Sequence, residues 1–131
     1  MRYLGIDFGT KNVGLALSDE EGVMAFPLSV LSNSKTLVND IAALIAERHV
    51  DALVVGRSRN LAGGDNALEA HTTEFLGSLR KFWDGPVYRE DELYTSREAE
   101  QIQGRNALID ASAATLILNS YFNRIRNQKN T

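Results

Sequence analysis

The stretch Gly5-Ile6-Asp7-Phe8-Gly9-Thr10-Lys11-Asn12-Val13-Gly14 decides the fold. It joins two apolar, alternating segments, residues 2–8 (RYLGIDF) and 12–19 (NVGLALSD), across a glycine-led turn. Both segments read as strands, and the short turn makes them antiparallel. Asp7 interrupts the first apolar run. A carboxylate inside a hydrophobic strand is costly unless it is paired or bound to a metal. Gly9 and Gly14 let the backbone turn tightly and let a ligand come close.

Outward from this hairpin, Glu20, Glu21 and Gly22 make a turn into a third strand, 23–30 (VMAFPLSV). Pro27 cannot donate to a ladder, so this strand belongs at an edge or carries a bulge. The period then changes. Leu37, Ile41, Leu44 and Ile45 fall on one face of a helix over 36–48, with Ser34 a candidate cap. Residues 51–56 (DALVVG) form a short apolar run that reads as a buried parallel strand. After a polar loop, 57–66, a second helix spans 67–83 with Leu68, Phe75, Leu76, Leu79 and Phe82 inward. Residues 86–91 (PVYRED) give a fifth strand. Thr95-Ser96-Arg97-Glu98 matches a capping box and starts a short helix over 96–103. The last helix, 109–125, turns Ala113, Ala114, Ile117, Leu118 and Tyr121 inward. The order β-β-β-α-β-α-β-α-α gives an α/β fold, a mixed sheet covered by helices.

The bulk numbers bound the function. The chain has 131 residues, the size of a single domain. No cysteine is present, which excludes disulfides, thiolate metal sites and a cysteine nucleophile and suits the cytoplasm. No signal-peptide pattern opens it, and no apolar run is long enough to span a bilayer. The formal net charge of -3 is not that of a dedicated nucleic-acid binder, although Arg124, Arg126 and Lys129 form a local basic patch in the tail.

Asp7, the pair Asp91 and Glu92, and Asp110 lie at two strand ends and one helix start. Ligands of open α/β sheets bind at such strand ends. Each acid also has a plain structural reading: a turn cap for Asp7, surface carboxylates for the pair, an N-cap for Asp110. The small residues Ala111, Ala113 and Ala114 let the last helix pack close to the sheet, which brings Asp110 toward Asp7. Oxygen-only ligands suit Mg²⁺ or Mn²⁺, and a pair of such ions serves phosphodiester hydrolysis. His49 and His71 do not pair by spacing into a zinc site and read as surface or packing residues.

The first motif, then Val54-Val55-Gly56, Asp91-Glu92 with Thr95-Ser96, and Asp110-Ala111-Ser112-Ala113-Ala114 with Ile117-Leu118 and Tyr121, resemble the YqgF family over nearly the whole chain. Its members are described as Holliday-junction resolvases and as nucleases that mature the 5′ end of the small-subunit (16S) ribosomal RNA precursor. The resemblance implies a ribonuclease H-like fold with strand order 3-2-1-4-5 and helices on both faces. It implies that Asp7, Glu92 and Asp110 are catalytic acids that bind Mg²⁺ or Mn²⁺, with Asp91 a neighbour that could substitute. It places Thr10, Lys11, Arg57, Arg59, Ser96 and Arg97 on the substrate side, and nucleic acid, RNA precursor or branched DNA, as the partner of a monomer or homodimer. Three features depart from the family. Arg57-Ser58 replaces Leu-Pro, Leu93 replaces an arginine, and the segment between Ser96 and Asp110 is short and lacks a lysine cluster whose charge Arg57, Arg59, Arg97 and Arg105 could replace. Two rivals stand beside this reading. The first motif also resembles the phosphate loop of actin-like and sugar-kinase ATPases, though one lobe cannot close their cleft. A binding module without catalysis is the second.

Overall fold

The computed structural model describes residues 1–57, 67–91 and 108–129, with side chains at 1–57, 67–91 and 113–128. Five strands form one sheet: β1 (Tyr3–Phe8), β2 (Asn12–Ser18), β3 (Ala25–Ser32), β4 (Ala52–Arg57) and β5 (Val87–Asp91). Among the described residues three helices accompany them: α1 (Leu37–Glu47), α2 (Ala67–Leu79) and α3 (Leu108–Lys129). The strand order is β3-β2-β1-β4-β5. β1, β2 and β3 pair antiparallel, whereas β4 and β5 run parallel to β1. This is the mixed α/β sheet and the ribonuclease H-like order expected from the sequence. The proposed helix over 96–103 lies outside the described residues. Among the described residues no helix is long and apolar enough to cross a membrane.

Strand alternation divides the core between the two faces. Leu4, Ile6 and Phe8 of β1 and Leu53 and Val55 of β4 pack with Leu37, Ile41 and Ile45 of α1 and Phe75 and Leu79 of α2. Ala16 and Val54 face the other way, against Ala114, Ile117, Leu118, Tyr121 and Phe122 of α3. Gly5 explains how closely α3 lies on the sheet. A Cβ built there would stand 2.6 Å from Leu118 Cγ and 3.0 Å from the Ala114 carbonyl oxygen. Tyr3 meets Tyr121 and Phe122, with ring centroids 5.8 and 5.2 Å away. The contacts therefore pass from Tyr121 at Tyr3 to Ala114 at Gly5, so α3 runs antiparallel to β1.

Pro27 sits where the edge argument put it. β3 borders the sheet, and its register against β2 shifts between Leu15↔Ser29 and Ala16↔Pro27, leaving Leu28 as the extra residue of a bulge. Two expectations need correction. The second helix ends at Leu79, not at residue 83, and Phe82 is 61% exposed, because the chain has already turned when it reaches it. The cap of α1 is Thr36, without a side-chain cap bond. Ser34 Oγ instead accepts from the Thr36 amide at 3.3 Å and does not bond the helix interior.

Candidate metal and nucleic-acid site

Asp7 lies near the C-terminal end of β1. It shares the parity of Gly5 and so belongs to the α3 side of the sheet. Its antiparallel partner is Gly14. On the other side Ile6 pairs with Val55, and the register carried one residue further sets Gly56 against Asp7. A half-buried carboxylate is thus flanked on both strands by glycines, which present no side chain to it. Among the described residues it has no hydrogen-bond or ion-pair partner. A partly desolvated anion with open flanks suits a bound cation.

The adjoining hairpin is held rigidly. A Cβ on Gly9 would meet the Asn12 carbonyl oxygen at 2.5 Å, so only glycine fits that turn. Asn33, just after β3, clips the loop from outside. Its Nδ2 donates to the Gly9 carbonyl at 2.7 Å and its amide N–H donates to the Lys11 carbonyl at 2.8 Å. Thr10 and Lys11 stand exposed on the clipped turn.

Two buried acids that sequence reasoning passed over, Glu69 and Glu90, lie by the C-terminal ends of β4 and β5. Glu69 of α2 is 4% exposed and pairs with Arg89 of β5, whose Nη1 donates at 2.8 Å. Arg89 also donates to the Val55 and Gly56 carbonyls at 3.2 and 3.1 Å. One guanidinium therefore ties α2 to the end of β4 beside the predicted site. On the opposite face Glu90, 9% exposed, accepts from Ser120 Oγ at 2.9 Å and from Arg124 Nε and Nη2 at 3.0 and 2.7 Å. That hydrogen bond pushes the Arg124 guanidinium above its ordinary value, with the Glu90 charge adding to it. Arg124 also lies 5.3 Å from the Tyr121 ring centre. Burial pushes the Tyr3 and Tyr121 phenols up. No local signal marks this cluster, because both faces of β5 are polar and the partners of Glu90 lie thirty and thirty-four residues away.

The predicted site residues separate as follows. Asp7, Thr10 and Lys11 gather at the β1 end, and Arg57 ends β4, paired in register with Asp91. Asp91 has the strand parity of Arg89, opposite to Glu90, and is exposed. Asp110 belongs to the first turn of α3 by its backbone. Glu92, Arg59, Ser96, Arg97 and Arg105 lie outside the described residues. Among the described residues no group of three His, Asp or Glu could hold a metal ion. The tail patch is partly spent in structure: Arg124 pairs with Glu90, and Arg126 donates to the Val23 carbonyl at 2.9 Å.

The 3-2-1-4-5 mixed sheet, with α1 and α2 on one face and α3 on the other, is a ribonuclease H-like fold. The chain is similar to Thermus thermophilus RuvC in complex with a Holliday junction substrate, with a TM-score of 0.60 at 15% identity over 95% of this chain and 96% of that one. It is equally similar to the fowlpox virus resolvase bound to Holliday junction DNA, TM-score 0.60 at 11% identity, over 95% and 99%. The chain belongs to the RuvX family, the YqgF family by its other name, described as Holliday junction resolvase and matched over residues 1–124. A relative from Desulforudis audaxviator, 35% identical with both chains covered in full, is named "Putative pre-16S rRNA nuclease". One from Nitratidesulfovibrio vulgaris, also 35% identical with 94% of each chain covered, carries the same name.

Proposed function

We propose that the chain is one catalytic domain over residues 1–131, a metal-dependent endonuclease that hydrolyses phosphodiester bonds in structured nucleic acid. Its first substrate is the 5′ end of the small-subunit (16S) ribosomal RNA precursor, processed in the cytoplasm. The observation that carries this reading is Asp7: half-buried, flanked by Gly14 and Gly56, and without a partner among the described residues. The names of the full-length relatives support the RNA substrate.

Asp7, Glu92 and Asp110 are the acids that would hold Mg²⁺ or Mn²⁺. The course of α3 supports Asp110, because the helix runs from Tyr3 toward the Asp7 end of β1 as it is followed back to its start. Glu92 directly follows Asp91, the last residue of β5, and β5 runs parallel to β1 through β4. The ions would supply charge neutralisation at the phosphate and an activated water. Thr10 and Lys11 hold a flanking phosphate on the rigid hairpin, and Arg57, with Arg59, Ser96 and Arg97, contacts the backbone further along.

Cleavage of an end-labelled precursor RNA tests the proposal. Wild type cuts it with Mg²⁺ or Mn²⁺ and not with EDTA, and Asp7→Asn cuts it under neither condition. Cleavage by wild type that persists in EDTA overturns the metal role. A four-way DNA junction is the second arm, because the family description names Holliday junctions. Faster cutting of the junction than of the RNA assigns the branched DNA instead.

A further inference from the structure

A cleft on the opposite face of the sheet shares only Thr10 with the site proposed above. It has a volume of about 490 Å³ and opens at the C-terminal end of β1, between the start of α1 and the middle of α2. Its floor is apolar, although Phe8 and Phe75 reach it only at their margins, each 6% exposed. Phe8 and Phe75 pack with ring centroids 5.2 Å apart, and Val38 lies beside them. Its rim is polar. Lys35 stands on the α1 side, and His71, Glu74 and Ser78 line the α2 side at helical spacings of three and four residues.

We propose that this cleft receives one unpaired nucleotide of the strand bound at Asp7; the proposal rests on the nuclease reading. Three observations carry it. First, the chemistry fits each part of a nucleotide. The apolar floor, Val38 with the margins of Phe8 and Phe75, packs against a base. The Glu74 carboxylate and the Ser78 hydroxyl accept hydrogen bonds from the exocyclic amino groups that bases present. Lys35 supplies an exposed cation for the phosphate, and His71 a ring N–H. Second, the cleft lies where open α/β sheets take ligands, at the carboxyl end of a central strand. Its volume falls within the range of small-molecule sites, about 300–1,000 Å³.

Third, the cleft is coupled to Asp7. Phe8 follows Asp7 directly and faces the other way, so the two sites occupy opposite sides of one strand end. The Gly9–Lys11 hairpin separates them. Thr10 lines the cleft, and Asn33, which also lines it, clips the hairpin through the Gly9 and Lys11 carbonyls. A strand with one phosphate at Asp7 that crosses this rigid turn delivers its next unpaired nucleotide to Phe8 and Val38. A fully paired duplex is too stiff and wide to make that crossing. The cleft therefore selects substrates with an unpaired nucleotide beside the cut.

The test is a scan with 2-aminopurine placed at successive positions of a short RNA strand. The strand is bound to the full-length Asp7→Asn chain so that it stays intact. Emission is expected to change on binding at one position and not at its neighbours. Ser78→Trp, which fills the cleft from α2, and Lys35→Glu, at an exposed site, are each expected to abolish that response and weaken binding about tenfold, within the range for one stacked base. Circular dichroism checks the fold of both, and Lys35→Glu decides the matter if Ser78→Trp unfolds. Equal emission at every position, or a response that survives Lys35→Glu, overturns the cleft. If wild type still cleaves the precursor while the scan is silent, the cleft alone fails. If the chain binds no strand and cleaves none, the nuclease reading fails with it.

Discussion

Glu90 on β5 and Arg124 on α3 form a bidentate pair, with the guanidinium Nε and Nη2 both donating to one carboxylate oxygen at 3.0 and 2.7 Å. The glutamate side chain is 10% exposed and the arginine 45% exposed. The two partners are therefore unequal, since removal of the arginine strands a buried charge while removal of the acid frees a cation at the surface. The β5 register pairs Glu90 with Gly56, which places it two strands from Asp7, about 10 Å away at the usual strand spacing. Held by Arg124 and Ser120, Glu90 stays out of the predicted metal site while sharing its face of the sheet.

Arg124→Ala is accordingly expected to lower stability by about 1–3 kcal/mol, discounted because the guanidinium is half in solvent. The double variant Arg124→Ala/Glu90→Gln recovers part of the loss. Urea unfolding of the two single variants and the double gives the coupling, and strict additivity would show that the pair contributes nothing.

Asp7→Asn is expected to abolish cleavage and to leave the melting temperature equal or higher in metal-free buffer, because it removes a half-buried charge that has no partner among the described residues. A large fall in melting temperature without metal would instead make Asp7 structural.

Arg57→Ala is expected to weaken nucleic-acid binding and to flatten its dependence on salt by about one phosphate contact. Anisotropy titrations at several salt concentrations measure both. Binding unchanged across that series removes the end of β4 from the contact surface.

Two glycine substitutions should move stability in opposite directions. Gly5→Ala drives a methyl group into Leu118 and the Ala114 carbonyl and is expected to cost about 1–3 kcal/mol. Gly77→Ala, in the interior of α2 with nothing within 4 Å of the added atom, is expected to stabilise by about 0.5–1 kcal/mol. Denaturation midpoints of the two variants check the close approach of α3 to β1.

Asp19 contributes to the acid limb. Its Oδ1 accepts from the Val23 amide at 2.8 Å and the Met24 amide at 3.3 Å, and the first of these does most to hold its carboxyl below the ordinary range. A folded value below the unfolded one stabilises the β2–β3 turn above about pH 4, and that contribution is lost as pH falls through the folded value. Asp19→Asn is expected to shrink the loss of stability between pH 5 and pH 2, read by thermal melts across that interval (about one to two units either side of the free carboxylate value). An unchanged pH profile would take Asp19 out of the acid response.

Much of the fold could be read from period alone. The alternation in 12–19 and the apolar run 51–56 both mark strands, and the fold buries both faces of each. The 37-41-45 spacing settles the face of α1. Strand 87–91 hid its organisation because both of its faces are polar. Arg89 and Glu90 are held by ion pairs formed with Glu69 and Arg124, some twenty and thirty-four residues distant, and no local rule foresees such partners. The limit of α2 was misplaced because Phe82 continues the apolar spacing after the backbone has turned at Arg80. Of the site, Asp7 was legible from the cost of an acid in an apolar strand. The glycine on its β4 side was legible only once the parallel register aligned Gly56 with it.

Pro27 and the irregularity beside it have a consequence for the molecule in company. The outer border of β3 is the natural place for a stray chain to add itself to the sheet and begin a growing fibre. At Pro27 there is no amide hydrogen to offer, and Leu28 puts the remaining groups out of step with any straight newcomer. Crowded copies thus find no continuous seam there along which to knit, and the exposed Met24 and Phe26 can stand in water without recruiting neighbours into a shared β ribbon.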